Sequence, residues 1–157
     1  MHKLIQALSK TLTSQNIKLV TVESCTGGLV GKTITDVAGS SDWYESGFIT
    51  YSNQAKQKLV GVGSKLLVTH GAVSEPVAKA MASGASKIFP ASVALSITGI
   101  AGPGGGCDEK PVGLVYLSVC IGERSKTIKC LFNGGRDKIR ISAMREGLSL
   151  LIHFLES

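Results

Sequence analysis

Apolar residues recur along the chain in two periods, and the changes of period mark the elements. Leu4, Ile5, Leu8 and Leu12 share one helical face, so residues 2–14 read as a helix. Lys18–Val22 is a short apolar, β-branched run that suits a buried strand. Helical spacing returns over residues 27–37 through Leu29, Val30, Ile34 and Val37. Gly47–Ser52 has the composition of a strand, and short helices follow over residues 53–60 and 64–69. Ser74-Glu75-Pro76 opens a longer helix: serine can cap, glutamate suits the positive end, and proline is tolerated in the first turn. Val77, Ala78, Met81, Ala85 and Ile88 form its predicted buried face. Residues 91–98 predict a buried strand. Residues 114–121 and 126–132 predict a hairpin whose lysine-bearing second strand lies near an edge. Residues 136–154 predict a long helix with Ile141, Met144, Leu148, Leu151, Ile152 and Leu155 facing the core.

The order helix, strand, helix, strand, helices, strand, hairpin, helix predicts a layered α/β fold. Its sheet is mixed, with a C-terminal antiparallel hairpin. A chain of 157 residues supports one domain, residues 1–157. Hydrophobic content of 43% against 18% charged residues argues for a packed core and against disorder. No apolar run reaches the roughly 18 residues of a membrane span, and the amphipathic N-terminus does not read as a signal peptide. The four cysteines, Cys25, Cys107, Cys120 and Cys130, show no C-x-x-C spacing, which fits reduced thiols in a cytoplasmic protein.

Charge narrows the partners. The net charge is +6, and seven of the 17 basic residues lie between Arg124 and Arg145. A basic surface favours anionic ligands, either phosphorylated metabolites or nucleic acid. Aromatic content of only 5% weakens a single-strand-binding reading, and no nucleic-acid motif is present.

Two small-residue stretches follow predicted strands. Glu23-Ser-Cys-Thr-Gly-Gly28 leads into a helix, whose free N–H groups and positive dipole end would make an anion site. Ser24 and Thr26 there also suit helix capping. Ile97–Gly106, ITGIAGPGGG, follows the 91–98 strand and can aim backbone N–H groups at an anion. It is neither a P-loop nor G-x-G-x-x-G. The histidines have no metal-ligand spacing, and no G-x-S-x-G elbow is present. A buried lysine can act as general base for a serine, which draws attention to Lys56 near Tyr51, with Ser40 and Ser41 upstream. Spacing alone favours reading Lys56 and Lys58 as solvated helix-face charges.

ESCTGG at 23–28, GSS at 39–41, ITYSNQAK at 49–56, GAVSE at 71–75, ITGIAGPGGG at 97–106, KPVGLVY at 110–116 and FNGGRDKIR at 132–140 together resemble the CinA C-terminal domain family. The resemblance spans residues 3 to 155. It implies a compact three-layer α/β/α sandwich that commonly dimerises. It further implies a nicotinamide-nucleotide amidase that converts nicotinamide mononucleotide to nicotinic acid mononucleotide and ammonia, within NAD recycling. The family pattern implies Ser41 as nucleophile, Lys56 as base and Tyr51 as proton relay. It assigns Glu23, Ser24, Thr26, Gly27, Gly28, Thr98, Gly99, Gly102, Gly104 and Arg136 to the nucleotide, with no metal or organic cofactor. Gly135 stands where the family usually has aspartate. The alternative expectation is a non-catalytic nucleotide-binding or interaction module of the same family.

Overall fold

A computed structural model describes residues Met1–Ser157. Helix α1 (His2–Ser14) leads into strand β1 (Lys18–Glu23), helix α2 (Leu29–Thr35), a 3-10 turn (Ser40–Asp42) and strand β2 (Tyr44–Ile49). Helices α3 (Asn53–Val60), α4 (Ser64–His70) and α5 (Glu75–Ile88) follow. The chain ends with β3 (Ser92–Gly99), β4 (Leu114–Ile121), β5 (Arg124–Leu131) and α6 (Arg136–Glu156). The sheet order is β2-β1-β3-β4-β5. β1 is parallel to both β2 and β3, and β4 and β5 are antiparallel. The predicted mixed sheet and edge hairpin are both present.

Strand alternation builds two cores. Leu19, Val93, Leu95 and Ile97 face one side, where α1, α2 and α6 bury Ile5, Leu8, Leu12, Val30, Ile34, Leu148 and Leu151. Val20, Val22 and Ala94 face the other, against Val60, Leu67, Val77, Met81 and Ala85 from α3, α4 and α5. The result is a three-layer α/β/α sandwich. α3 seats closely because α5 has a glycine beneath it. A Cβ on Gly84 would lie 1.8 Å from the Val60 carbonyl oxygen.

Three expectations shift. β2 starts and ends about three residues early, because Ser52 is the N-cap of α3: its Oγ accepts from the Ala55 N–H at 3.0 Å. Ile141 and Ile88 are exposed rather than core-facing. The α6 face that packs on the sheet is instead Ile139, Ala143, Met144, Gly147, Leu148, Leu151 and Phe154.

Candidate active site

The carboxyl ends of β1 and β3 lie side by side, where ligands of open α/β sheets bind. Ser24 is the first residue past β1, and it is held from both sides. Its N–H donates to the Ile97 carbonyl at 2.9 Å, and the Thr50 N–H donates to the Glu23 carbonyl at 2.8 Å. From α3, Lys56 reaches back to this point. It is 1% exposed, the bulkiest of the fully buried side chains. Its Nζ lies 3.0 Å from Ser24 Oγ, 2.7 Å from the Thr50 carbonyl oxygen and 3.4 Å from that of Tyr51.

No carboxylate pairs with Lys56, and burial pulls its pKa below the ordinary lysine value. The three partners fit either protonation state. An ammonium donates to all three. A neutral amine donates to the two carbonyls and leaves its lone pair for the Ser24 proton. Such a pair can deprotonate a serine and later return the proton.

A cavity of about 290 Å³ opens over the pair, lined by Ser24, Cys25, Tyr51, Lys56, Ala72, Val73, Thr98, Gly99, Ile100–Gly102, Gly104, Gly105 and Arg136. The Arg136 guanidinium spans its rim, donating to the Gly102 carbonyl at 2.9 Å and to Tyr51 Oη at 3.2 Å. Beyond the Ile100 N–H, which pairs with Leu114, the N–H groups of Ala101, Gly102, Gly104 and Gly105 donate to no protein acceptor. Ala101 and Gly102 are nevertheless buried. Burial pushes the Cys25 thiol up to about 11, so thiolate is scarce beside Ser24.

Residues 1–155 match the family model for the CinA C-terminal domain. The chain belongs to that family. It is 48% identical over 151 residues to the nicotinamide-nucleotide amidohydrolase PncC of Escherichia coli K12, covering 95% of this chain and 91% of that protein. A CinA-like protein of Syntrophobacter fumaroxidans is 48% identical over 146 residues, which make up 34% of its length. A CinA superfamily crystal structure from Klebsiella pneumoniae 700603 superposes with a TM-score of 0.94 at 30% identity, covering 99% of this chain and 97% of that one. The competence/damage inducible protein CihA of Agrobacterium tumefaciens does so at 0.90 and 40% identity, covering 96% and 94%.

The family-based residue assignments divide on this structure. Ser24, Tyr51, Lys56, Thr98, Gly99, Gly102, Gly104 and Arg136 all line the cavity. Ser41 does not. It is exposed in the 3-10 turn before β2, and the neighbouring Trp43 carbonyl accepts from the Leu19 N–H at the amino end of β1. Lys56 is at the carboxyl end. A six-residue strand spans roughly 17–20 Å, too far for proton transfer. The serine beside Lys56 is Ser24.

Glu23 is likewise corrected. Its carboxylate accepts from the N–H groups of Gly28, Val30 and Gly31 at 3.0, 3.1 and 2.9 Å. The positive end of α2, expected to hold a ligand anion, already holds this one. Thr26, Gly27 and Gly28 therefore shape the turn and do not line the cavity. The Tyr51 side chain is 61% exposed and bonds Arg136; it is the Tyr51 carbonyl that meets Lys56. Cys25, Ala72, Val73, Ile100, Ala101 and Gly105 complete the lining; all lie in the motif stretches named above, but none had been assigned to the nucleotide site.

Proposed function

We propose that this protein is a nicotinamide-nucleotide amidohydrolase acting through a Ser24–Lys56 pair. The observation that carries the reading is the buried, carboxylate-free Lys56 amine at 3.0 Å from Ser24 Oγ on the cavity floor. The likeness to PncC across nearly both chains supports the substrate.

In this reading Lys56 starts neutral. Ser24 Oγ attacks the carboxamide carbon as its proton passes to Lys56 Nζ. Collapse of the tetrahedral adduct breaks the C–N bond, and Lys56 returns the proton to the departing ammonia. Water, deprotonated by the same amine, attacks the nicotinoyl ester and releases the nicotinate carboxylate and Ser24. The two carbonyls of Thr50 and Tyr51 hold the amine in place throughout. Arg136 and the free N–H groups of residues 101–105 suit the phosphate and ribose hydroxyls. The Tyr51 hydroxyl, bonded to Arg136, serves substrate placement rather than proton relay. The reading carries with it a cytoplasmic role in NAD recycling and a homodimer, which sedimentation of the purified protein tests.

The experiment is ammonia release from nicotinamide mononucleotide by wild type, Ser24→Ala and Ser41→Ala. Release by wild type and Ser41→Ala, with loss in Ser24→Ala, is the expected result. Full activity in Ser24→Ala would overturn the assignment.

A further inference from the structure

The turn that carries Ser24 is gripped from the side opposite Lys56. Arg140, on α6, donates from Nε to the Cys25 carbonyl at 3.2 Å and from Nη2 to the Thr26 carbonyl at 2.8 Å. Its side chain is only 27% exposed, and its nearest carboxylate, Asp137, is 3.8 Å away and 90% exposed. The two backbone carbonyls are thus its main partners.

A trans peptide points its N–H away from its C=O. Pinning the Cys25 carbonyl toward α6 turns the Thr26 N–H away from α6. α6 packs on one face of the sheet and α3, which bears Lys56, packs on the other. The Thr26 N–H is thereby directed away from Arg140, behind Cys25, the one of the two residues that lines the cavity. It donates to no protein acceptor, nor does the Cys25 N–H to any backbone or side-chain oxygen. Thr26 is nonetheless fully buried. Buried N–H groups without partners are rare, as the Thr26 N–H is; the Cys25 N–H meets only its own thiol sulfur, a weak acceptor, and the two directly follow the serine. The remaining donors of the turn are spent: the Gly27 N–H bonds the Ser24 carbonyl at 3.1 Å and the Gly28 N–H the Glu23 carboxylate at 3.0 Å.

We propose that Arg140 is a positioning residue: its guanidinium fork fixes the Cys25–Thr26 peptide so that the Cys25 and Thr26 N–H groups receive the oxyanion formed when Ser24 attacks. The inference rests on Ser24 being the nucleophile. It adds a residue on the far side of the sheet that touches neither substrate nor base. A lysine cannot reproduce the fork, because it offers one point charge on a flexible stem.

The test separates this inference from the choice of substrate. A fluorophosphonate reports the nucleophile and its oxyanion donors directly: Ser24 Oγ bonds to phosphorus, fluoride leaves, and the serine proton passes to Lys56. Labelling rates are measured for wild type, Arg140→Lys and Arg140→Met, alongside kcat and KM for nicotinamide mononucleotide. Loss of one oxyanion donor lowers rates by roughly 10²–10³-fold. We expect a fall of about 100-fold in labelling and in kcat for Arg140→Met, with KM within about threefold and the Lys56-dependent rise of the pH profile unmoved. Arg140→Lys should fall with it, and millimolar guanidinium should restore much of the Met variant's rate. Wild-type rates in Arg140→Met would overturn the proposal. So would full activity in Arg140→Lys, or a loss expressed in KM alone. If Arg140→Met does not fold, Arg140→Lys decides. Rapid labelling of a wild type that leaves nicotinamide mononucleotide intact would sink the substrate reading and leave this inference to the labelling ratios. A wild type that neither labels nor hydrolyses would overturn both.

Discussion

The turn at residues 23–28 and the loop at 99–106 are both small-residue connections at neighbouring strand ends, yet they are finished in opposite ways. The turn is closed by its own chain except at the Cys25 and Thr26 N–H groups: the Glu23 carboxylate takes three N–H groups of the α2 start, and Arg140 takes two carbonyls. The loop leaves the N–H groups of Ala101, Gly102, Gly104 and Gly105 open to the cavity, with Arg136 across its mouth. Composition treats these segments alike. What separates them is whether an acidic side chain of the protein already occupies the anion position. The closed turn holds Ser24, the nucleophile of the proposed mechanism, still, and in that reading the open loop is left for a ligand.

Substitutions sort by this contrast. The largest effect is expected at the amine that α3 brings to the closed turn. Lys56→Met should cut kcat/KM by about 10²–10⁴-fold, as loss of a general base does. It should also change the pH dependence of stability. The folded pKa of Lys56 is lowered, so between that value and the ordinary lysine value near 10.4 the unfolded chain binds more protons than the folded one. Wild-type stability therefore rises with pH through that window. Melting temperatures should climb relative to those of Lys56→Met, and parallel curves for the two proteins would contradict the burial argument.

Next in size is the open loop's cation. Arg136→Met should raise KM by roughly 10- to 100-fold, the scale of a lost charge-assisted hydrogen bond, with kcat changed by only a few fold. Steady-state kinetics would break the contrast if kcat fell instead. In the closed turn, Glu23→Gln should lower stability by about 1–3 kcal/mol, since a neutral amide oxygen replaces a carboxylate accepting three N–H groups. Denaturant unfolding reads this directly. A variant of unchanged stability would mean that the α2 terminus is not held by that charge. The smallest effect is expected at Thr26, whose buried hydroxyl has no hydrogen-bond partner. Thr26→Val keeps the shape and removes the orphan, so stability should hold or rise by up to about 1 kcal/mol.

Periodicity made most of the fold legible. Helices α1, α3 and α5, the hairpin and the buried β3 strand appear close to where apolar spacing put them. β2 slipped because Ser52 was read as strand when its hydroxyl caps the next helix. The site was half legible. The glycine loop and Lys56 stood out by chemistry, but no spacing rule joins a serine to a lysine 32 residues away. The family pattern was read onto Ser41, and parallel pairing of β1 with β2 overturns that: it sends Ser41 to the far end and brings Ser24 under Lys56. Glu23 misled for a related reason. An acid ahead of a helix start reads equally as a ligand contact or a cap, and only the N–H directions decide.

The groups around Ser24 are drawn from both outer layers, Lys56 from one and Arg140 from the other. Neither layer alone can assemble them. On the proposed mechanism, catalytic competence is a readout of complete docking of the sandwich, and a species with one helical layer loosened should be inert however native its remaining half. Heat inactivation and global melting should coincide, and a partly folded population should be silent in any assay of turnover.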